Sequence, residues 1–262
     1  MSTVSNERSE FWSTYFMGLA QAEANSAKQL DSSYNAMMVQ HFAFVLESTG
    51  SLTDKRVLDA GFGTGELARM LDVLGAKVSA IDVIPTRIPS LREAAPAVAW
   101  WQGDLTDWTL PRNAETFDTI VAVESLQFVD FDDTVQRLLS ALAPAGRLVV
   151  LIPNSDCPIT QRTAAQFEHQ FVGVSLGKLP DRIGKILEQR SEFDVRKWRV
   201  DYRGIYVQQD QSIAHYRSGP WSTVTNATSL DSSEAPPKPH FNLSSAPPNR
   251  LQIVLTDTTP AD

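Results

Sequence analysis

The sequence predicts an α/β fold with a mostly parallel sheet, an N-terminal helical cap and an inserted region before the last strand. Three observations support this prediction. Between Arg56 and Asn154, short apolar runs alternate with segments of helix length, as in a parallel sheet with crossover helices. A glycine-rich loop separates the first apolar run, RVLDA, from the next helical segment. Near the end, the β-branched run RLQIVLT is typical of a strand that returns to the sheet.

Composition divides the chain into four regions. The first carries apolar residues at helical spacing, such as Phe11, Tyr15 and Leu19, and predicts a cap of two or three helices. The second holds the strand-like runs RVLDA, KVSAID, AVAWWQ, FDTIVAV and RLVVLI. We expect the cap at 1–52, the core at 53–154, an insertion at 155–249, and the final strand and tail at 250–262.

The insertion is mixed in character. Two helical segments, TQRTAAQFEHQFVG and LPDRIGKILEQRSEF, precede an alternating run that predicts a strand over 196–207. Residues 208–249 then change to Ser, Thr, Pro and Asn, and a stretch of this length and composition is either a functional lid or disordered.

Charge and cysteine content limit the partners and the compartment. With a net charge of −8, the chain lacks the clustered Lys and Arg that nucleic acids and anionic membranes require, so a small molecule is the expected partner. No apolar run is long enough for a transmembrane helix, and the first residues lack the pattern of a signal peptide. The single cysteine, Cys157, fits a reducing compartment. We expect a cytoplasmic protein, and the oligomeric state stays open, with a homodimer as one option.

The glycine loop suits more than one nucleotide cofactor. It follows a strand and opens a helix, where backbone N–H groups approach a ligand closely. The dinucleotide fingerprint G-x-G-x-x-G, started at Gly61 and Gly63, requires a third glycine where the chain has Glu66. A carboxylate at that position disfavours a bound pyrophosphate, and NAD is therefore the weaker alternative.

The pattern D-x-G-x-G-x-G instead resembles motif I of the class I S-adenosylmethionine-dependent methyltransferases. It runs from Asp59 to Gly65, and Phe62 stands where this family frequently has cysteine. The segment DDTVQRLLSALAPAGRLVVLIPN resembles the family's helix, L-x-P-G-G turn and fifth strand, with Ala145 replacing the first glycine. The resemblance extends from Arg56 to Asn154 and implies a Rossmann-like, seven-stranded, mostly parallel sheet.

The resemblance also assigns roles to residues at the strand ends. It implies that S-adenosylmethionine is the cofactor and that the glycine loop passes under its amino-acid part. The alternative for each strand-end acid is a structural role as a helix N-cap or turn residue. The implied cofactor contacts are Asp59 near the ammonium, the loop glycines Gly61, Gly63 and Gly65, Asp82 on the ribose hydroxyls, Val83 on the adenine, Asp104 on the adenine amino group, Leu105 on the ring, and Glu124 beside the reactive end.

Candidates for catalysis and acceptor binding are less specific. Histidine is the usual general base, and we consider His41 and His215, although either can be an ordinary structural or exposed histidine. Trp12 and Tyr15 could close the pocket as an aromatic lid, or belong to the core. After the fourth and fifth strands, Gln127 and Asn154 are candidates to orient the acceptor.

Several methyltransferase subclasses are disfavoured. The D/N-P-P-Y/F sequence of enzymes that methylate amino groups of bases or glutamine is replaced here by VESL, and we find no Asp–Asp–Asn metal set and expect no metal. We therefore expect methyl transfer to an amine or hydroxyl of a small metabolite, in natural-product or sugar biosynthesis. A non-catalytic S-adenosylmethionine-binding partner subunit is the alternative.

Overall fold

The α/β fold predicted from the sequence is confirmed. The computed structural model describes residues 32–167, 173–189, 198–210, 213–218, 221–225 and 250–259, with Thr14, Phe171 and Pro248. In this part of the chain, nine strands form one sheet and six α-helices pack around it. The strands are β1 (Arg56–Ala60), β2 (Lys77–Asp82), β3 (Ala99–Gln102), β4 (Phe117–Val123), β5 (Leu142–Pro153), β6 (Trp198–Asp210), β7 (Ile213–Ser218), β8 (Ser222–Thr225) and β9 (Arg250–Asp257). The helices are α1 (Ser32–Thr49), α2 (Glu66–Val73), α3 (Ile88–Ala94), α4 (Phe131–Ser140), α5 (Pro158–Gln166) and α6 (Leu179–Glu188).

The sheet has the strand order β3-β2-β1-β4-β5-β9-β6-β7. Strands β1 to β5 are parallel, and β9 lies antiparallel between β5 and β6. Two strands more than the seven expected are present, because β6 is long enough to pair with both β8 and β7. Strand β8 pairs with residues 199–202 of β6, and β7 pairs with residues 205–210.

Each face of the sheet has its own hydrophobic core, because successive side chains of a strand point to opposite faces. In β1, Leu58 and Ala60 pack on one side with α4 and α6, while Val57 packs on the other side with α2, α3 and α1. The chain therefore has three layers, with the sheet in the middle. No helix among the described residues is long and apolar enough to cross a membrane.

The predicted lid over 208–249 is only partly described. Strands β7 and β8 form within it, whereas residues 226–247 lie outside the described part of the chain. The N-terminal segment with Trp12 and Tyr15 also lies outside it, so the predicted aromatic lid stays a prediction.

Candidate functional site

A cavity of about 440 Å³ opens where the strands β1 to β4 end. In open α/β sheets this carboxyl edge is the usual place for a ligand, since loops from neighbouring strands diverge there. The walls come from the loop after β1, the residues that follow β2, β3 and β4, the helix α1, and the start of β9. One wall therefore comes from the helical cap and another from the last strand of the chain.

The glycine loop forms the floor of this cavity, and its glycines are needed for two different reasons. Gly61 has a φ of 88°, and a Cβ atom on it would collide with the Ser125 side chain. Gly63 has a φ of 54° and open space where a Cβ would stand. Its N–H donates to Asp82 Oδ2 at 2.8 Å, which fixes the loop against the end of β2. The loop leaves its backbone accessible to a ligand.

Asp59 is the most unusual ionisable group of the site. It is almost completely buried, and its Oδ2 atom has no hydrogen-bond partner among the described residues. Burial, followed by the nearby charge of Asp82, raises the pKa of Asp59 to about 8. A positively charged ligand group would satisfy the orphaned oxygen and reverse both effects.

Asp82 and Asp104 shape the loops that carry them and also line the cavity. Asp82 accepts hydrogen bonds from the N–H groups of Gly63 and, at 3.1 Å, Ile84; burial nevertheless raises its pKa. Asp104 accepts from the Thr106 N–H at 2.8 Å, the turn-forming role that we considered as its alternative. Because each carboxylate oxygen has more than one acceptor direction, these bonds leave room for ligand hydroxyls or amino groups.

Glu124 stands on strained backbone at the end of β4. Its φ of 51° is uncommon for a residue other than glycine, and such strain clusters at functional sites. The carboxylate is ion-paired with Arg250, which begins β9, and it accepts a bond of 3.2 Å from Gln127 Nε2. Gln127 also donates to the backbone carbonyl of Glu124 at 2.9 Å. The Glu124–Arg250 pair thus holds two distant parts of the chain together at the cavity wall.

His41 faces the same region from α1. It is 4% exposed and lines the cavity. Burial lowers the pKa of His41, the carboxylate of Glu124 acts in the opposite direction, and Arg250 adds to the lowering. The imidazole is therefore neutral at neutral pH, which is the protonation state that a general base requires.

The structure brings most of the predicted site residues together, but not all of them. Gly65 does not line the cavity; its φ of 83° and its contact with Leu91 and Trp100 serve the start of α2. Asn154 is fully buried away from the cavity and donates to the Pro248 carbonyl at 2.7 Å. The backbone of His215 lies in β7, and its side chain is outside the described part of the structure. The predicted residues that line the cavity are Asp59, Gly61, Gly63, Asp82, Val83, Asp104, Leu105, Glu124, Gln127 and His41.

Some cavity residues were missed by the sequence analysis. Arg250 is the most important, and its signal was the polar–apolar alternation R-L-Q-I at the start of β9, which is unusual in a strand buried between two others. Met38, Arg87 and Phe128 also line the cavity and have no comparable signal. Phe62, the departure from the usual motif, is buried and packs edge-on against Trp100 with 5.1 Å between ring centroids.

The comparison with known families agrees with this geometry. The family described as "Methyltransferase domain" matches residues 57–146, which run from β1 to the turn that enters the parallel part of β5. Residues 57–146 are thereby identified as a methyltransferase domain. Motif I had predicted this family, and the prediction is confirmed.

Two individual relatives of the methyltransferase domain each match less than half of the chain. A trans-aconitate 2-methyltransferase from Paracidovorax citrulli is 34% identical over 117 residues, which are 44% of this chain and 45% of that protein. A ubiquinone biosynthesis O-methyltransferase from Bordetella parapertussis is 31% identical over 110 residues, 40% and 45% of the two chains. The chain thus spans about half the length of these curated relatives.

One solved structure has the same fold over almost the whole chain. It is a magnesium protoporphyrin IX methyltransferase from Synechocystis PCC 6803 with bound S-adenosylhomocysteine. The TM-score is 0.54 at 14% sequence identity, with 94% of this chain and 98% of that chain covered. At this identity the likeness establishes the fold.

The cavity of the methyltransferase domain fits S-adenosylmethionine chemically. The cofactor carries an ammonium, a sulfonium, two ribose hydroxyls and an adenine amino group, all of which are cationic or donate hydrogen bonds. The cavity offers matching acceptors: the orphaned oxygen of Asp59 and the carboxylates of Asp82 and Asp104. The missing side chain of Gly63 leaves open space for such a ligand, whereas that of Gly61 makes room for Ser125.

Proposed function

We propose that this protein binds S-adenosylmethionine in the described cavity and transfers its methyl group to an amine or hydroxyl of a small metabolite, in natural-product or sugar biosynthesis. The observation that carries the proposal is that one cavity has two chemically different ends, one at Asp59 and one at His41. The orphaned carboxyl of Asp59 lies at the glycine loop, and the neutral imidazole of His41 lies where Glu124 and Arg250 meet. The first end suits a cationic cofactor and the second suits an acceptor that must lose a proton.

In this proposal the bound cofactor supplies an electrophilic methyl group on its sulfonium, and the chain supplies orientation and proton removal. Asp59 and Asp82 hold the cofactor by its ammonium and ribose. His41 accepts the proton of a hydroxyl acceptor through a ring nitrogen. Glu124 and Gln127 accept or donate hydrogen bonds that orient the acceptor, while Arg250 balances the charge of Glu124.

Calorimetry with S-adenosylhomocysteine tests the cofactor part of the proposal. We expect Asp82→Ala to weaken binding by about 10- to 100-fold, because hydrogen bonds to a charged group contribute about 1.5–3 kcal/mol. Asp107→Ala is the matched control, since Asp107 is exposed and does not line the cavity. Undiminished binding by a folded Asp82→Ala variant would refute the site.

An acceptor screen tests the reaction. Small amines, alcohols and carboxylic acids are incubated with S-adenosylmethionine, and release of S-adenosylhomocysteine is measured. Carboxylic acids are included because one relative is a trans-aconitate methyltransferase. Tight cofactor binding without turnover on any acceptor would favour the non-catalytic partner subunit instead.

The His41→Ala variant separates the two acceptor types. With a hydroxyl acceptor we expect kcat to fall about 100-fold, the usual contribution of a general base. With an amine acceptor the rate should stay within a few-fold of the parent, since a neutral amine needs only orientation. A full rate on a hydroxyl acceptor would exclude His41 as the base.

A further inference from the structure

The helix α1 is held on the sheet by a polar cluster that the reaction itself does not explain and that is buried except for the half-exposed Glu47. The cluster consists of Arg203 on β6, Gln252 on β9, and Phe44, Glu47 and Ser48 on α1. Arg203 and Gln252 stand directly opposite each other in the pairing of β6 with β9 and are 6% and 0% exposed. Two polar side chains therefore occupy a position in the sheet that apolar residues normally fill.

Within α1, Ser48 Oγ donates to the Phe44 carbonyl at 2.8 Å, and the other hydrogen bonds of the cluster cross from the sheet to the helix or join the two strands. Arg203 Nε donates to Gln252 Oε1 at 2.8 Å, and the two terminal nitrogens of Arg203 bind the Glu47 carboxylate at 3.2 and 2.6 Å. Gln252 Nε2 donates to the Phe44 carbonyl at 2.9 Å and to Ser48 Oγ at 2.6 Å. A bidentate hydrogen bond from a guanidinium to a carboxylate fixes the relative orientation of the two groups as well as their distance.

Aromatic rings enclose the guanidinium of Arg203. The centroid of Trp221 lies 4.3 Å from it and that of Phe44 lies 5.7 Å from it, both within the range of cation–π attraction. Trp221 comes just before β8, so the segment that leads into this strand also contacts Arg203. The charge of Arg203 is thus paired, hydrogen-bonded and covered.

Apolar packing by itself specifies the register of α1 weakly. Within residues 38–49, the fully buried apolar side chains are Phe44 and Val45, and Phe42 packs on the core while partly exposed. Val39 is 61% exposed and Leu46 is 38% exposed. A slip of one residue turns a helix by about 100° and would rotate His41 out of the cavity. His41, Phe44 and Ser48 are spaced so that they share one face of the helix, and the bonds to Phe44 and Ser48 therefore also fix the direction of His41.

We propose that Arg203 is a positioning residue: together with Gln252 it fixes the register of α1 on the sheet and so aims His41 and Met38 into the cavity. The proposal rests on the proposed function for its consequence in the reaction. Its structural half, the register of α1, is independent of any activity.

The test compares Arg203→Met with Arg203→Lys and uses Arg199→Met as the matched control. Methionine keeps an unbranched stem without donors, and lysine keeps the charge without the planar fork. Arg199 lies on the same strand but is ion-paired with Asp201 and half-exposed. Glu47→Gln is a milder variant that stays informative if Arg203→Met fails to fold.

We expect Arg203→Met to leave S-adenosylhomocysteine affinity within about threefold and to lower kcat by about 10- to 100-fold, since a misplacement of about 1 Å can cost that much. His41 should become more exposed to water in this variant, so the acidic limb of the pH profile of kcat should move towards the ordinary pKa of histidine. The charged groups that face His41, Glu124 and Arg250, are the same in parent and variant. Arg203→Lys should recover part of the rate. Hydrogen exchange of the amides in residues 41–49 should become faster than in Arg199→Met.

A folded Arg203→Met variant with parental kcat, pH profile and exchange would overturn the proposal, as would a loss of cofactor affinity equal to the loss of rate. If no acceptor is turned over, the proposed function fails, and the hydrogen exchange of residues 41–49 alone tests whether Arg203 fixes the register of α1. Faster exchange confined to α1 then supports the register function of Arg203, and unchanged exchange refutes it.

Discussion

At the scale of single residues, Asp59 shows how a binding site can work against folding. A carboxyl that is buried beside a second carboxyl and has an orphaned oxygen costs free energy in its ionised form. The raised pKa means that the folded chain holds this proton more tightly than the unfolded chain does. Stability from this group is therefore complete below the unfolded pKa and is lost as the pH rises towards about 8.

The Asp59→Asn variant tests this effect. We expect it to melt at a higher temperature than the parent without ligand, with a difference that grows from about pH 5 to about pH 9. Melting curves across this range provide the measurement, and Asp107→Asn, which changes an exposed aspartate, is the control. A difference that stays constant with pH would show that Asp59 has an ordinary pKa. The same variant should bind S-adenosylhomocysteine more weakly, because it lacks the charge that the ammonium needs.

At the scale of elements, the parallel strands were predictable because each is a short apolar run between turn signals. Strands β1, β2 and β4 match the runs RVLDA, KVSAID and FDTIVAV. Strand β5 begins at Leu142, before the predicted run RLVVLI. Near this start, an irregular turn with Ala145 at a φ of 60° interrupts the pairing of β5 with β4. Strands β7 and β8 were missed because their composition is polar, and pairing with β6 overrides it.

The Ala145→Gly variant tests the strain in this turn. Alanine in the left-handed region costs about 1–2 kcal/mol of stability, and glycine avoids this cost. About half of the gain is offset because glycine makes the unfolded chain more flexible. We expect a gain of about 0.5–1 kcal/mol and a melting temperature about 2 °C higher. Ala94→Gly, at the exposed end of α3, should have the opposite sign. If both variants were destabilised alike, the backbone at Ala145 would not be strained.

At the scale of the whole molecule, the last described strand completes the sheet. Strand β9 lies between β5 and β6 and pairs with β5 over residues 250–256 and with β6 over residues 250–257. It also supplies Arg250 to the cavity and Gln252 to the cluster that holds α1. The last described strand therefore lies inside the sheet, and β6, β7 and β8 connect to the parallel strands through it.

A pair of truncations tests this dependence. A chain ending at Asn249 lacks β9, and we expect it to show no cooperative thermal transition, because β5 and β6 each lose a partner strand. A chain ending at Thr259 keeps β9 and should melt like the parent. Circular dichroism during heating distinguishes the two. A cooperative transition in the shorter chain would mean that β1 to β5 fold without β9.

The sequence by itself determined which residues meet at the glycine-loop end of the cavity, because Asp59, Gly61 and Gly63 lie within one strand and the tight turn that follows it. Their roles towards a cofactor come from the resemblance to motif I and stay predictions. Only the tertiary structure decided the rest. The Glu124–Arg250 pair joins residues 126 positions apart, and the Arg203–Glu47 pair joins residues 156 positions apart. Likewise, Asn154 follows the fifth strand as predicted, but its side chain donates to the Pro248 carbonyl and does not line the cavity. Local patterns specify backbone conformation. Long-range contacts depend on which strands become neighbours, and this strand order is complete only when β9 pairs between β5 and β6.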